Sequence, residues 1–290
     1  MKKFTNIIFY SMLAVILFGF TGCASMNPKD YGWQIGDKIN PADVTSPKDH
    51  NASFLFDNAG TRCMNILSVH CPEDDFKNVV SRMRDNGAKM CYLFLSGEHD
   101  GKWQPVNIWE DGTFMGEIDQ HKLDVMHDRC KYIRREGLDI VFWLASDDSS
   151  NYSAQPVSKW IEFVDLAVDE FDKYACGYVA ALEANEHFSS KWAAVADRLQ
   201  QKTDKPIGIH ETSGQYSYAK HGAIDIMYFQ FGWNKSPAQI AATTRNVINA
   251  LGGKPVIACE YNMSSDTNQA RAQGDGGIAG GASGSGNGRN

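Results

Sequence analysis

The sequence predicts an α/β protein of the (β/α)8 TIM-barrel type, and three observations carry that expectation. From residue 63 onward, short apolar runs alternate with amphipathic stretches of helical period, the rhythm of βαβ crossovers and a parallel sheet. Seven such units are clear and an eighth position follows, which favours a closed ring over an open doubly wound sheet. No GxGxxG or GxxxxGK[ST] follows the first strand, so the sequence lacks the phosphate-binding turns of dinucleotide and nucleotide folds. At 290 residues the chain has the length of one such domain.

The chain is read as residues 1–22, a signal peptide; 23–50, a tether; and 51–290, the barrel. Lys2 and Lys3 precede an apolar run from Ile7 to Phe20, and Cys23 follows Thr21-Gly22. This resembles a bacterial lipobox, which implies cleavage before Cys23, lipid attachment to its sulfur, and an exported lipoprotein held at the cell envelope. The run of roughly 14 residues is short for a membrane span of about 20. Loss of Lys2 and Lys3 would take the formal charge from −7 to −9. Pro28, Pro41 and Pro47 punctuate the tether.

Ser53 to Phe56 followed by Asp57-Asn58-Ala59-Gly60 suggests a small hairpin at the bottom of the barrel. Cys63 to Val69 is the expected first strand. Pro72 and three acids then open a helix that stops at Asn86-Gly87. Lys89–Leu95, Leu138–Leu144, Gly177–Leu182, Pro206–His210, Ile224–Phe231 and Pro255–Cys259 are the next six strands. Helices are expected over 119–136, 157–174, 189–203 and 237–251, with an irregular piece, 211–221, in place of one of them. The segment from Gly274 to Gly288 holds eight glycines, and a flexible tail is one account of it. The favoured account makes 268–281 weakly helical and puts Ser283 to Asn290 at the eighth strand position, a barrel without its last helix.

In a barrel of this kind every strand's C-terminal end opens on one face, where the chemistry lies. The strand ends supply His70, Glu98 or His99, Asp147, Asn185 with Glu186, His210, Gln230 with Trp233, and Glu260 with Asn262. Carboxylates, amides, imidazoles and indoles are groups that bind sugars, and seven Trp suit a carbohydrate cleft. With a charge of −7 and no basic run after residue 3, nucleic acid is excluded as a partner. Six cysteines lie beyond Cys23; four sit in or beside apolar runs as small hydrophobes, and a disulfide from Cys63 or Cys71 to a partner is left open. No CxxC or Cys/His zinc spacing occurs, and Ser68-Val69-His70 lacks the second His of an HxH pair, so no metal or cofactor is expected.

Asn185-Glu186 at the end of strand four and Glu260 at the end of strand seven resemble the signature of the clan A glycoside hydrolases, retaining (β/α)8 enzymes that include cellulases, mannanases and β-galactosidases. The resemblance implies Glu186 as general acid/base, Glu260 as nucleophile and Asn185 as the amide on the sugar 2-hydroxyl. It implies the same cleft for His99, Asp147, His210, Tyr228, Gln230, Trp233 and Asn262, with Tyr228 hydrogen-bonding Glu260. Glu183 sits too early in the pattern and is read as a structural carboxylate. The sequence departs from the clan at His187, where many members have Pro, at strand two, which ends without Arg, and at Tyr228-x-Gln230, which replaces His-x-Tyr. The implied activity is double-displacement hydrolysis of a β-linked poly- or oligosaccharide by carboxyls about 5–5.5 Å apart. A sugar-binding barrel without turnover and a metal-dependent hydrolase are the alternatives.

Overall fold

The computed structural model describes residues 52–54, 66–85, 88–96, 108–145, 150–232, 235–260 and 267–286. Eight strands pair in chain order, each parallel to the next: β1 (Ala52–Phe54), β2 (Met90–Phe94), β3 (Asp139–Trp143), β4 (Ala175–Val179), β5 (Ile207–Glu211), β6 (Ile226–Gln230), β7 (Val256–Cys259) and β8 (Gly284–Gly286). β8 returns beside β1, with Cα atoms within 8 Å, so the sheet curls into a barrel. Helices α1 (Glu73–Asp85), α2 (Gln120–Arg135), α3 (Ser150–Ser153), α4 (Val157–Phe171), α5 (Ala184–His187), α6 (Trp192–Lys202), α7 (Pro237–Ala250) and α8 (Thr267–Ala279) occupy the crossovers. Between β5 and β6 the crossover is only a 3-10 turn, Tyr218–Lys220.

The strands are buried on both faces, as parallel strands must be when helices cover one side and the barrel interior fills the other. The interior is packed with rings: Tyr92, Trp143 and Tyr228 meet pairwise with centroids 5.3 to 5.8 Å apart. They leave no room for a side chain at position 208. A Cβ on Gly208 would stand 2.8 Å from Cδ2 of Tyr228. This aromatic plug is the floor on which the mouth of the barrel rests.

Two expectations at the N-terminal side are corrected. The first strand is Ala52–Phe54, in register with Met90 to Tyr92, ahead of the expected Cys63–Val69; the turn expected at 57–60 lies outside the described residues. Residues 66–70, expected to continue a strand from Cys63, form turns. Their carbonyls are claimed by one side chain: buried Arg129 on α2 donates to the carbonyls of Ile66 and Cys71, each at 2.6 Å, and to that of Ser68. A guanidinium fork satisfies buried carbonyls that a strand ladder would otherwise take up. Cys71 is disulfide-bonded, the pairing the sequence left open, to a partner outside the described residues, while Cys91, Cys130, Cys176 and Cys259 are free and buried.

The glycine-rich end is structure. Gly284 to Gly286 pair with Ile257 to Cys259 and are buried. α8 lies on α7 and β7 at a distance only glycine permits. A Cβ on Gly280 would stand 2.5 Å from the Ala241 carbonyl oxygen and 2.7 Å from Thr244 Cβ; one on Gly277 would stand 2.6 Å from Ala258 Cβ. The glycines are therefore contact surface, which outweighs their weak helix propensity.

Candidate active site

β7 ends at Cys259 and hands Glu260 to the mouth of the barrel. Glu260 has φ +47°, an unusual conformation for a residue with a side chain. Its side chain is 14% exposed, and Gln230, the last residue of β6, donates from Nε2 to its Oε2 at 2.6 Å. A carboxylate can only accept, so the amide nitrogen of Gln230 must face Glu260 and its Oε1 is turned away. That Oε1 is buried and has no hydrogen-bond partner among the described residues.

His210, on β5, is fully buried beside the Trp143 ring, 5.5 Å between centroids. Its Nδ1 accepts from the Glu183 backbone N–H at 3.1 Å. A backbone N–H can only donate, so Nδ1 is bare and the ring proton sits on Nε2. Burial pushes the imidazole pKa down to about 3, keeping the ring neutral. Nε2 stands 3.8 Å from Glu260 Oε2, beyond hydrogen-bond range, and is likewise without a partner among the described residues.

Glu183 completes this group. It follows β4 with φ +41°, so the carboxylate-bearing residues after β4 and β7 share the left-handed backbone, which among described non-glycine residues only Met115 also adopts. Left-handed residues cluster where a structure holds side chains in special directions. Glu183 and Glu260 are both near enough to Cys259 that, after burial, their charges help push its thiol pKa well up.

The β4 motif is placed differently. Asn185 and Glu186 lie in the single turn α5. The Asn185 amide is engaged on both sides by Thr212, donating to its hydroxyl at 2.7 Å and accepting from its N–H at 2.8 Å. The Glu186 side chain is 47% exposed, with His187 Nε2 at 3.7 Å. Tyr228 packs in the aromatic plug below the mouth, and Gln230, two residues on along β6, donates to Glu260. His70 is exposed beside the turn held by Arg129. His99, Asp147, Trp233, Asn262 and Cys23 lie outside the described residues.

Sequence reasoning thus named His210, Gln230 and Glu260, which the structure brings together, and missed Thr212 and the Glu183 backbone N–H that holds His210. Thr212 carries no sequence signal beyond following a strand. Among the described residues no group of three or more His, Cys, Asp or Glu side chains stands close enough to hold a metal ion.

A parallel eight-stranded barrel with carboxylates, an imidazole and an amide gathered at its C-terminal mouth defines a class of (β/α)8 proteins with the site at the strand ends. Among solved structures the chain is similar to a candidate glycoside hydrolase from Bacteroides vulgatus ATCC 8482 (TM-score 0.63, 12% identity, covering 79% of this chain and 50% of that one). It is similar also to a glycoside hydrolase family 5 protein from the same organism (0.58, 13%, 82% and 57%) and to the endo-β-1,4-mannanase of Thermotoga petrophila (0.54, 12%, 82% and 66%). At such identities the likeness is one of fold, and the chain spans half to two thirds of the length of these structures. No family model and no curated protein matches the sequence.

Proposed function

We propose that the chain is a retaining glycoside hydrolase that cleaves a β-linked poly- or oligosaccharide by double displacement. The observation that carries this is Glu260: a largely buried carboxylate at the end of β7, held by Gln230 at 2.6 Å at the mouth of a parallel barrel. A nucleophile must stay ionised and hold one direction, and an amide donor on Oε2 serves both needs. The fold is that of glycoside hydrolases among the neighbours, including a mannanase and a β-glucosidase.

The general acid/base comes from the β4 side of the mouth. The motif assigns it to Glu186, whose position in α5 leaves it free to protonate a leaving group and then to activate water. A second assignment, Glu183, is favoured by its left-handed backbone and by its N–H on His210, whose other nitrogen stands 3.8 Å from Glu260 Oε2. His99, Asp147, Trp233 and Asn262 are proposed to line the same sugar cleft, and Asn185 to stiffen it through Thr212. We place the protein at the cell envelope, anchored through lipid on Cys23.

Product stereochemistry tests the mechanism. Hydrolysis of an aryl β-glycoside followed by proton NMR should show the β-anomer first. An inverted product would exclude Glu260 as nucleophile, and absence of hydrolysis across β-glucans, mannans, xylans and galactosides would leave the sugar-binding barrel as the better account.

A further inference from the structure

Two buried polar atoms beside Glu260 lack partners among the described residues, and their chemistry is complementary. His210 Nε2 carries a proton, because Nδ1 is committed as acceptor to the Glu183 N–H. Gln230 Oε1 is a bare acceptor, because its Nε2 is committed to Glu260. His210 is 0% exposed and Gln230 6%. An orphaned donor and an orphaned acceptor at one buried place cost stability unless something fills them. A hydroxyl accepts from one and donates to the other, and a sugar hydroxyl can take the place of a water there.

We infer that His210 and Gln230 form a subsite for one hydroxyl of the sugar ring whose glycosidic bond is cleaved, His210 donating to its oxygen and Gln230 accepting its proton. The inference rests on the glycosidase assignment above and assigns these two residues a role in specificity. Asn185, the residue that the clan resemblance gives to a sugar hydroxyl, is tied to Thr212. The His210 Nε2 to Glu260 Oε2 separation of 3.8 Å puts the donor next to the carboxylate without spending it there. A site built to hydrogen-bond a hydroxyl rejects the analogue lacking it, because its buried polar atoms are then left unpaired again.

The test begins with 4-nitrophenyl β-glucoside, β-mannoside, β-galactoside and β-xyloside, followed by the monodeoxy derivatives of whichever is cleaved. In the wild-type protein, loss of one particular hydroxyl should lower kcat/KM by roughly a hundredfold or more. His210→Phe and Gln230→Met, checked for folding by thermal melting, should each shrink that penalty to below about tenfold at the same ring position. Wild-type rates within about tenfold for every monodeoxy sugar would overturn the subsite, as would folded variants that keep the full preference. The wild-type series stands even if a variant fails to fold. If none of the four glycosides and none of the β-glucans, mannans, xylans and galactosides is cleaved, the glycosidase assignment fails, and tryptophan fluorescence titration with the four glycosides and their monodeoxy derivatives decides the subsite separately. Affinity that depends on one hydroxyl would then support it, and no binding of any of them would overturn it as well.

Discussion

His210 Nε2 stands 3.8 Å from Glu260 Oε2, a neutral donor facing a carboxylate across a gap slightly too wide for a hydrogen bond. The ring cannot swing closer without giving up the Glu183 N–H that holds Nδ1. The imidazole thus links the segment after β4 to β5 and stands beside the end of β7 without bonding to it. The arrangement makes the carboxylates separable by experiment.

Glu260→Ala should abolish turnover on every substrate, since no nucleophile remains. Glu186→Ala should lose roughly 10²- to 10⁴-fold on glycosides with a poor leaving group and little on an activated aryl glycoside, with azide restoring rate on the latter. Steady-state kinetics on both substrate types for Glu183→Ala and Glu186→Ala will show which carboxyl has that signature. If Glu183→Ala has it and Glu186→Ala does not, the acid/base role moves to Glu183.

Stability should fall on mild acidification because of His210. The unfolded imidazole takes up a proton below about 6.5, whereas the folded one, buried against Trp143 and facing Glu260 and the Glu183 backbone, does so only near 3. The unfolded state therefore binds more protons across that window, and stability drops by up to about 1.4 kcal/mol per pH unit as pH falls through it. Urea midpoints at pH 7, 6, 5 and 4 should show this slope, and His210→Phe should flatten it. A variant with the wild-type slope would show that other groups govern acid sensitivity.

Gly280→Val should destabilise the barrel by about 2–3 kcal/mol, since the added atoms collide with the α7 backbone at Ala241 and with Thr244. Deleting 283–290 should also lower the melting temperature and the activity, by removing the strand beside β7 and Glu260. Unchanged melting after either change would mean that the C-terminal segment contributes nothing to the fold.

Cys23→Ser should block lipid attachment and leave an unprocessed or soluble protein. Fractionation with metabolic labelling by a radioactive fatty acid measures this, and a processed, membrane-bound Cys23→Ser protein would remove the lipoprotein proposal.

Strand and helix periods alone were enough to place β2, β3, β5, β6 and β7 within a residue or two, and β4 within three, and through them His210, Gln230 and Glu260, because a parallel barrel sends every C-terminal strand end to one face whatever the details. The rest depended on groups distant in sequence. Ile66 to Val69 has a strand's composition, yet Arg129 of α2 takes carbonyls there and holds a turn, leaving the three-residue β1 to pair with β2. Glu183 reads as an ordinary carboxylate until its backbone is bent into the left-handed region and its N–H is claimed by His210. The run from Gly274 looks like a linker until α7 comes close enough that no other residue fits. Periodicity is a local property and survives in the sequence; hydrogen-bond satisfaction and close approach are properties of pairs, and only the folded chain decides which pairs meet.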